Sequence, residues 1–207
     1  YLGSTDEDLS PEGEALARRC AGGLGEVPRL VWASPMKRCL STARLLCPGA
    51  EILPLPGLRE SDFGAFEGKN YEELKDDPCY QKWIDSNGTL PFPGGESREQ
   101  FIRRSMEGFD RMMSDILKRS EKNTGIQNDT DTRYLKSNRG TEITVVTVVH
   151  GGTIMAVLSS LTGGEYFDFQ VKNGEGYETV LEWIQGSWKI TSLTKIGCED
   201  SKSEHLQ

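Results

Sequence analysis

The sequence has little positive charge and no long apolar run. Its 24 Lys and Arg residues stand against 32 Asp and Glu residues, which gives a formal net charge of −8. Non-specific nucleic-acid binding needs a basic surface, so no nucleic-acid partner is expected. No stretch approaches the roughly 18 apolar residues of a membrane-spanning helix, and no secretory signal is visible. No membrane partner is therefore expected.

Histidine and cysteine are also scarce. The two histidines, His150 and His205, are too few and too far apart to predict a metal site. The five cysteines include no Cys-x-x-Cys pair, so neither a disulfide framework nor a zinc site is indicated. A reducing cytoplasm is the simplest compartment for such a chain. We expect no metal and no cofactor.

Strand-like and helical patterns alternate along the 207 residues. Short apolar runs predict strands, and apolar residues at helical spacing predict helices. The predicted strands are 30–33, 51–55, 143–149, 177–184 and 188–196, and the predicted helices are 9–21, 34–46, 71–86 in pieces, 98–119 and 153–161. Gln185-Gly186 between the last two strands is a hairpin signal.

This order predicts an α/β fold with a three-layer, wound and mostly parallel sheet. Helices are expected on both faces of the sheet, and a β-hairpin is expected at the C-terminal end of the chain. Residues 1–197 are predicted to form a single domain. The polar stretch 120–140 is interpreted as a surface insertion, and residues 198–207 as a polar tail.

Three segments carry residues suited to chemistry on an anion. Arg38 lies in the first turn of a helix that follows a short strand, where a helix N-terminus and a guanidinium both attract anions. Glu60 lies in a glycine-punctuated loop and could donate a proton. His150 ends a buried strand, where open α/β sheets bind ligands. Taken singly, each has an ordinary alternative: a solvated arginine, an exposed carboxylate, or a histidine bonded to backbone.

Taken in order and spacing, the segments resemble the histidine phosphatase superfamily, which is phosphoglycerate mutase-like in fold. The resemblance covers Tyr1 to about Ile196. Its motifs are the loop 1–6, Leu-Ser-x-x-Gly at 9–13, Ser-Pro-x-x-Arg-x-x-x-Thr-Ala at 34–43, Glu-x-x-x-Gly-x-x-Glu-Gly at 60–68, Gly-Gly-Glu-Ser at 94–97 and His-Gly at 150–151. Each motif is weak alone, but the ordered set is specific.

The resemblance implies a role for each candidate. Arg38 would bind the transferring phosphoryl group, and Glu60 would protonate the leaving oxygen and then activate water. His150 would stabilise the transition state. The remaining substrate-binding residues would be Gly3, Ser4 and Gly151. No metal is required, because Arg and His cations neutralise the phosphoryl charge.

One departure from the family pattern is large. The family forms a phosphohistidine on an Arg-His-Gly segment, and this sequence contains no such segment. In the family it precedes the loop at 1–6, so we expect the nucleophile and the first strand to lie ahead of Tyr1. The 207-residue chain alone is accordingly expected to be inactive, and to expose an unpaired slot in its sheet.

The pattern is most similar to α-ribazole phosphatases, which act in cobalamin synthesis, and is compatible with broad-specificity phosphatases. Glycolytic mutases have a longer insertion with paired arginines, whereas the pair Arg103-Arg104 lies inside the long predicted helix. A mutase-type phosphotransferase and a catalytically dead phosphate-binding module stay open as alternatives. The expected partner is a small phosphorylated metabolite, and a homodimer is left open.

Overall fold

A computed structural model of the chain describes residues 1–24, 27–121 and 143–198. The helices are α1 (Pro11–Ala21), α2 (Lys37–Leu46), α3 (Tyr71–Leu74), α4 (Pro78–Asp85), α5 (Arg98–Glu121) and α6 (Gly151–Thr162). The strands are β1 (Leu30–Ala33), β2 (Glu51–Pro54), β3 (Val146–Val148), β4 (Glu175–Ile184) and β5 (Ser187–Gly197). Single 3₁₀ turns lie at Pro56–Leu58, Gly64–Phe66 and Tyr166–Phe169.

Local capping explains where several helices begin. Ser10 caps α1 by accepting the amide of Gly13, and a proline follows at the first helical position. Asp77 caps α4 in the same way, so the predicted break near Pro78 separates α3 from α4. Ser97 accepts the amide of Gln100 at the start of α5.

The central sheet is parallel, with strand order β2-β1-β3. All four residues of β1 are buried, as expected for a strand that is covered on both faces. The strand predicted at 143–149 is shorter in the structure, because only Val146–Val148 pair with β1.

Successive side chains of β1 enter two different cores. Trp32 packs against a cluster on α5 that includes Phe109 and Met112. Val31 and Ala33 pack on the other face, against a cluster that includes Cys39, Ala43 and Cys47. Helices therefore cover both faces of the sheet, which confirms the predicted three-layer α/β arrangement.

The C-terminal strands form the predicted hairpin. β4 and β5 pair antiparallel in a sheet of their own. Gln185 and Gly186 join them, with φ angles of 51° and 81°. Two consecutive positive φ values are typical of the tight turns that match the twist of paired strands.

A third cluster is mostly aromatic and encloses the start of the chain. Phe66, Leu74, Tyr80 and Phe92 are buried in it, and Tyr1 packs against them. The hydroxyls of Tyr1 and Tyr80 lie 2.9 Å apart. The first residues are thereby fixed against α3 and α4.

The structure also differs from the sequence prediction. Cys20 at the end of α1 is disulfide-bonded to Cys198, with 4.9 Å between their Cα atoms, although the sequence indicated no disulfide. Most of the predicted insertion (120–140) and tail (198–207) lies outside the described residues. Within the described ranges, no helix is long and apolar enough to cross a membrane.

Candidate active site

His150 lies at the carboxyl end of the central sheet. It follows β3 and immediately precedes α6, with extended backbone angles. The side chain is buried, and its Nε2 atom is 2.7 Å from Oγ of Ser34, which follows the neighbouring strand β1. Burial, together with the charges of Arg38 and Arg104, lowers the pKa of His150 to about 3. The imidazole is therefore neutral at neutral pH.

Glu60 reaches the same edge of the sheet from the loop of residues 57–62, here called the Glu60 loop. Its carboxylate accepts the amide of Ser61 at 2.8 Å and that of Gly152, in the first turn of α6, at 3.4 Å. A side chain on Gly152 would collide with this carboxylate, so the close approach requires glycine. Burial raises the pKa of Glu60, although these amides and two arginines oppose the shift.

Arg38, the second residue of α2, contacts the N-terminal loop, residues 2–5. Its guanidinium donates to the carbonyls of Thr5 at 2.8 Å, Gly3 at 2.9 Å and Leu2 at 3.3 Å. Its charge also lowers the pKa of both Glu60 and His150. Arg38 therefore lies within electrostatic reach of both Glu60 and His150, near the carboxyl ends of the parallel strands.

Glu67 binds the N-terminal loop from the opposite side. Its carboxylate accepts the amides of Gly3 at 3.0 Å, Ser4 at 2.7 Å and Phe63 at 3.0 Å, and the hydroxyl of Thr5 at 2.9 Å. Burial alone would raise the pKa of Glu67, but these hydrogen bonds outweigh it and lower the pKa to about 2. Gly3 has no room for a side chain, because one would meet the Ser61 carbonyl.

Two other predicted site residues, Ser4 and Gly151, also lie near Glu60 or at the start of α6. Ser4 also bonds Asp62, with 3.4 Å between Oγ and Oδ1, so it lies beside the Glu60 loop. Gly151 opens α6, but the amide that reaches Glu60 is that of Gly152. The role assigned to Gly151 stays a prediction, as do the roles of the other site residues.

Sequence reasoning missed several residues that shape the site. Glu67 lies in the motif at 60–68 and Glu96 in the motif at 94–97, so motif spacing is the signal for both. Arg104 stands out in the sequence only as half of the pair Arg103-Arg104. Ser34 begins the Ser-Pro motif and bonds His150. Tyr166 carried no signal in the sequence. Its hydroxyl donates to the carbonyl of Gly152 at 3.4 Å.

The assembled groups suit chemistry on an anion. A guanidinium and the N-terminus of α6 supply positive potential, and Glu60 is a carboxyl group whose raised pKa favours holding a proton. Among the described residues, no three His, Cys, Asp or Glu side chains gather into a cluster that could hold a metal ion. The arrangement can bind a phosphoryl group and move a proton beside it.

Comparison with known proteins points in the same direction. A family model described as the histidine phosphatase superfamily (branch 1) matches residues 1–124, more than half of the chain. Over 170 residues the chain is 28% identical to “Putative phosphoserine phosphatase 2” of Hydrogenobacter thermophilus, covering 79% of this chain and 70% of that protein. Phosphoglycerate mutases are also among the relatives, and the chain spans about half the length of those it matches.

Solved structures share the fold. A mycobacterial glucosyl-3-phosphoglycerate phosphatase, solved with inorganic phosphate, matches with a TM-score of 0.69 at 22% identity, covering 93% of this chain and 89% of that one. The α-ribazole phosphatase of Shigella flexneri matches with a TM-score of 0.65 at 20% identity, covering 93% and 87%. At these identities the likeness shows the architecture alone.

Proposed function

The chain belongs to the histidine phosphatase superfamily, and from that premise we propose that it acts as a phosphomonoesterase through a phosphohistidine intermediate. The nucleophile would be the histidine of an Arg-His-Gly segment ahead of Tyr1. The observation that carries the proposal is the position of Glu60. A carboxyl group with a raised pKa lies beside Arg38 and the start of α6, as a proton donor next to a bound phosphoryl group must.

The reaction has two displacements. In the first, a P–N bond to the nucleophilic histidine forms, the P–O bond of the ester breaks, and Glu60 gives its proton to the departing oxygen. In the second, Glu60 accepts a proton from water, the water oxygen bonds to phosphorus, and the P–N bond breaks. The products are the free alcohol and inorganic phosphate.

A fixed charge and a hydrogen-bond donor would stabilise both transition states. Arg38 would bind the phosphoryl oxygens, and His150 would contact them from the end of β3. Because His150 is neutral in the structure, it would act first as a hydrogen-bond donor, and the charge of a bound phosphoryl group would favour its protonation. Gly3 and Ser4 would border the substrate, and Gly151 would offer its amide.

The proposed substrate is a small phosphorylated metabolite. α-Ribazole phosphate, an intermediate of cobalamin synthesis, is our first candidate. The motif pattern supports it, and the fold shared with an α-ribazole phosphatase is consistent with it. Phosphoserine and glucosyl-3-phosphoglycerate, named for other relatives, belong in the same test. The cytoplasm is the proposed location, and the Cys20–Cys198 disulfide, a kind of bond that is rare in that compartment, is an observation against it.

The experiment compares the 207-residue chain with a product that includes the codons upstream of Tyr1. We expect the longer product, if it supplies Arg-His-Gly, to hydrolyse 4-nitrophenyl phosphate and one of the candidate metabolites. EDTA should not inhibit it. The 207-residue chain should bind inorganic phosphate without turnover.

Two results would contradict the proposal. Activity of the 207-residue chain equal to that of the longer product would place the nucleophile elsewhere. An upstream frame without Arg-His-Gly, combined with phosphate binding and no turnover, would favour the catalytically dead phosphate-binding module.

A further inference from the structure

The guanidinium of Arg104, on α5, bonds the backbone that carries Glu60. Nη1 donates to the carbonyls of Gly57 and Arg59, each at 3.0 Å. Nη2 donates to the carbonyl of Glu60 itself at 3.1 Å. One side chain therefore fixes the Glu60 loop from its start to the residue that would donate the proton.

The same guanidinium is anchored by Glu96 of the Gly-Gly-Glu-Ser motif. Nε donates to Oε1 of Glu96 at 2.8 Å, and Nη2 donates to Oε2 at 2.6 Å. Only 18% of the Arg104 side chain and 20% of the Glu96 side chain are exposed. A paired, largely buried fork of this kind is stronger and more specific in geometry than an exposed ion pair.

Glu96 also binds the far side of the Glu60 loop. Its Oε2 accepts the amide of Asp62 at 3.1 Å, and its own amide donates to the Asp62 carbonyl at 2.9 Å. The loop is therefore held before Glu60 by Arg104 and after it by Glu96. Both attachments belong to one ion pair.

Close packing leaves the loop little other freedom on this side. A side chain at Gly57 would come within 2.7 Å of the Cα atom of Gly108 on α5, so backbone lies directly on backbone. The loop cannot move further toward the helix. Its sideways position is then set by the hydrogen bonds of Arg104.

The donors of Arg104 are all directed at the protein. The bonds to Gly57, Arg59, Glu60 and Glu96 use every N–H group that a guanidinium has. Arg104 therefore has no N–H group left to donate to a substrate. Its neighbour Arg103 is exposed on the same helix.

We propose that Arg104, anchored by Glu96, is a positioning residue for proton donation by Glu60. The inference rests on the proposed phosphatase function and adds a determinant that lies outside the phosphoryl-binding groups. Displacing a catalytic group by about 1 Å can cost roughly 100-fold in rate. All five N–H groups of Arg104 bond to the Glu60 loop and Glu96, so loss of Arg104 should act mainly on the step that needs the proton. The charge of Arg104 also lowers the pKa of His150, and Arg104→Lys, which keeps that charge, separates this effect from the loss of the fork.

The test uses the longer, active product and two phosphate esters. Glycerol phosphate has a poor leaving group that needs protonation, whereas 4-nitrophenyl phosphate has a good one that does not. Arg104→Gln should lower kcat/KM for glycerol phosphate by roughly 10- to 100-fold, and for nitrophenyl phosphate by less than about 3-fold. Arg104→Lys, which keeps the charge but not the fork, should recover part of the loss.

Three further variants sharpen the experiment. Arg103→Gln removes a neighbouring charge from the same helix and should leave both esters unchanged. Glu96→Gln weakens the anchor and should produce the same leaving-group pattern as Arg104→Gln, in a smaller measure. In a Glu60→Gln background, Arg104→Gln should add almost nothing, because its effect acts through Glu60.

The outcomes separate the inference from the function on which it rests. Equal losses for both esters in Arg104→Gln would overturn the positioning role while the phosphatase stands. A wild-type product that hydrolyses neither ester would refute the function and the inference together. If Arg104→Gln does not unfold cooperatively, its kinetics cannot be interpreted, and Glu96→Gln is used instead. Equal losses for both esters in Glu96→Gln would then overturn the inference.

Discussion

Mild acid should destabilise the fold through His150. This histidine is buried between the ends of β1 and β3, and the positive charges of Arg38 and Arg104 act on it. Its pKa is about 3 in the folded chain, against an ordinary 6.5. Between pH 3 and pH 6.5 the histidine is therefore protonated in the unfolded chain but not in the folded chain. The contribution of His150 to the free energy of unfolding is therefore fully present above pH 6.5 and is lost as the pH falls toward 3.

The size of the loss follows from the same two values. At about pH 5 the unfolded histidine is nearly fully protonated, roughly 1.5 pH units below its own pKa, while folded His150 is still neutral. Each unit corresponds to about 1.4 kcal/mol, so the change from about pH 7.5 to about pH 5 should cost about 2 kcal/mol. The contribution of Glu67 to the free energy of unfolding changes little in this interval, because the folded carboxyl, with a pKa of about 2, stays ionised.

Urea unfolding at the two pH values measures this loss. Wild type should lose about 2 kcal/mol more than His150→Gln, whose side chain cannot be protonated. His205→Gln is the matched control and should behave as wild type. A pH dependence as steep in His150→Gln as in wild type would refute the reasoning. The raised pKa of Glu60 gives a contribution of opposite sign, which is present in both proteins and cancels in the comparison.

The remaining predictions concern proton donation, the N-terminal loop and the disulfide. Glu60→Gln in the active product should slow hydrolysis of alkyl phosphates by roughly 10²- to 10⁴-fold, and of nitrophenyl phosphate far less, in initial-rate assays. Glu67→Gln should weaken several hydrogen bonds to residues 2–5 and speed their amide exchange, followed by mass spectrometry. Cys20→Ser should lower the melting temperature by several degrees, because the bond to Cys198 joins residues 178 apart.

Each of these has its own control. Equal losses with both esters in Glu60→Gln would remove its role as proton donor. If amide exchange in residues 2–5 is unchanged in Glu67→Gln, Arg38 and the aromatic cluster are sufficient to hold the N-terminal loop in place. Cys79→Ser, at an exposed free cysteine, should leave the melting temperature unchanged. A Cys20→Ser melting temperature equal to that of Cys79→Ser would show that the disulfide does not contribute.

Local sequence signals predicted the elements well where one physical cause dominates. The C-terminal hairpin follows from two alternating strands around a two-residue turn that ends in Gly186. The break between α3 and α4 follows from Asp77 and Pro78. The placement of His150 at the edge of the sheet follows from parallel topology, since the carboxyl ends of parallel strands share one edge.

Contacts between distant segments were not predictable in this way. The Cys20–Cys198 bond joins residues 178 apart, and no local pattern signals such a pairing. Arg104 lies 44 residues from Glu60 along the chain. The local sequence around a helical arginine does not show whether its side chain faces water or a loop. Such contacts depend on how helices pack on the sheet, which short-range patterns do not determine.

The site is held together by charged side chains more than by the apolar cores. Arg38 and Glu67 bind the N-terminal loop, and Arg104 and Glu96 bind the Glu60 loop. None of these four belongs to the clusters around β1. Neutralising one of them should therefore alter the geometry of the loops while the sheet and its two helical layers keep their packing. The groups that align the site are thus not those that bury β1, and the two sets of contacts can be altered by different substitutions.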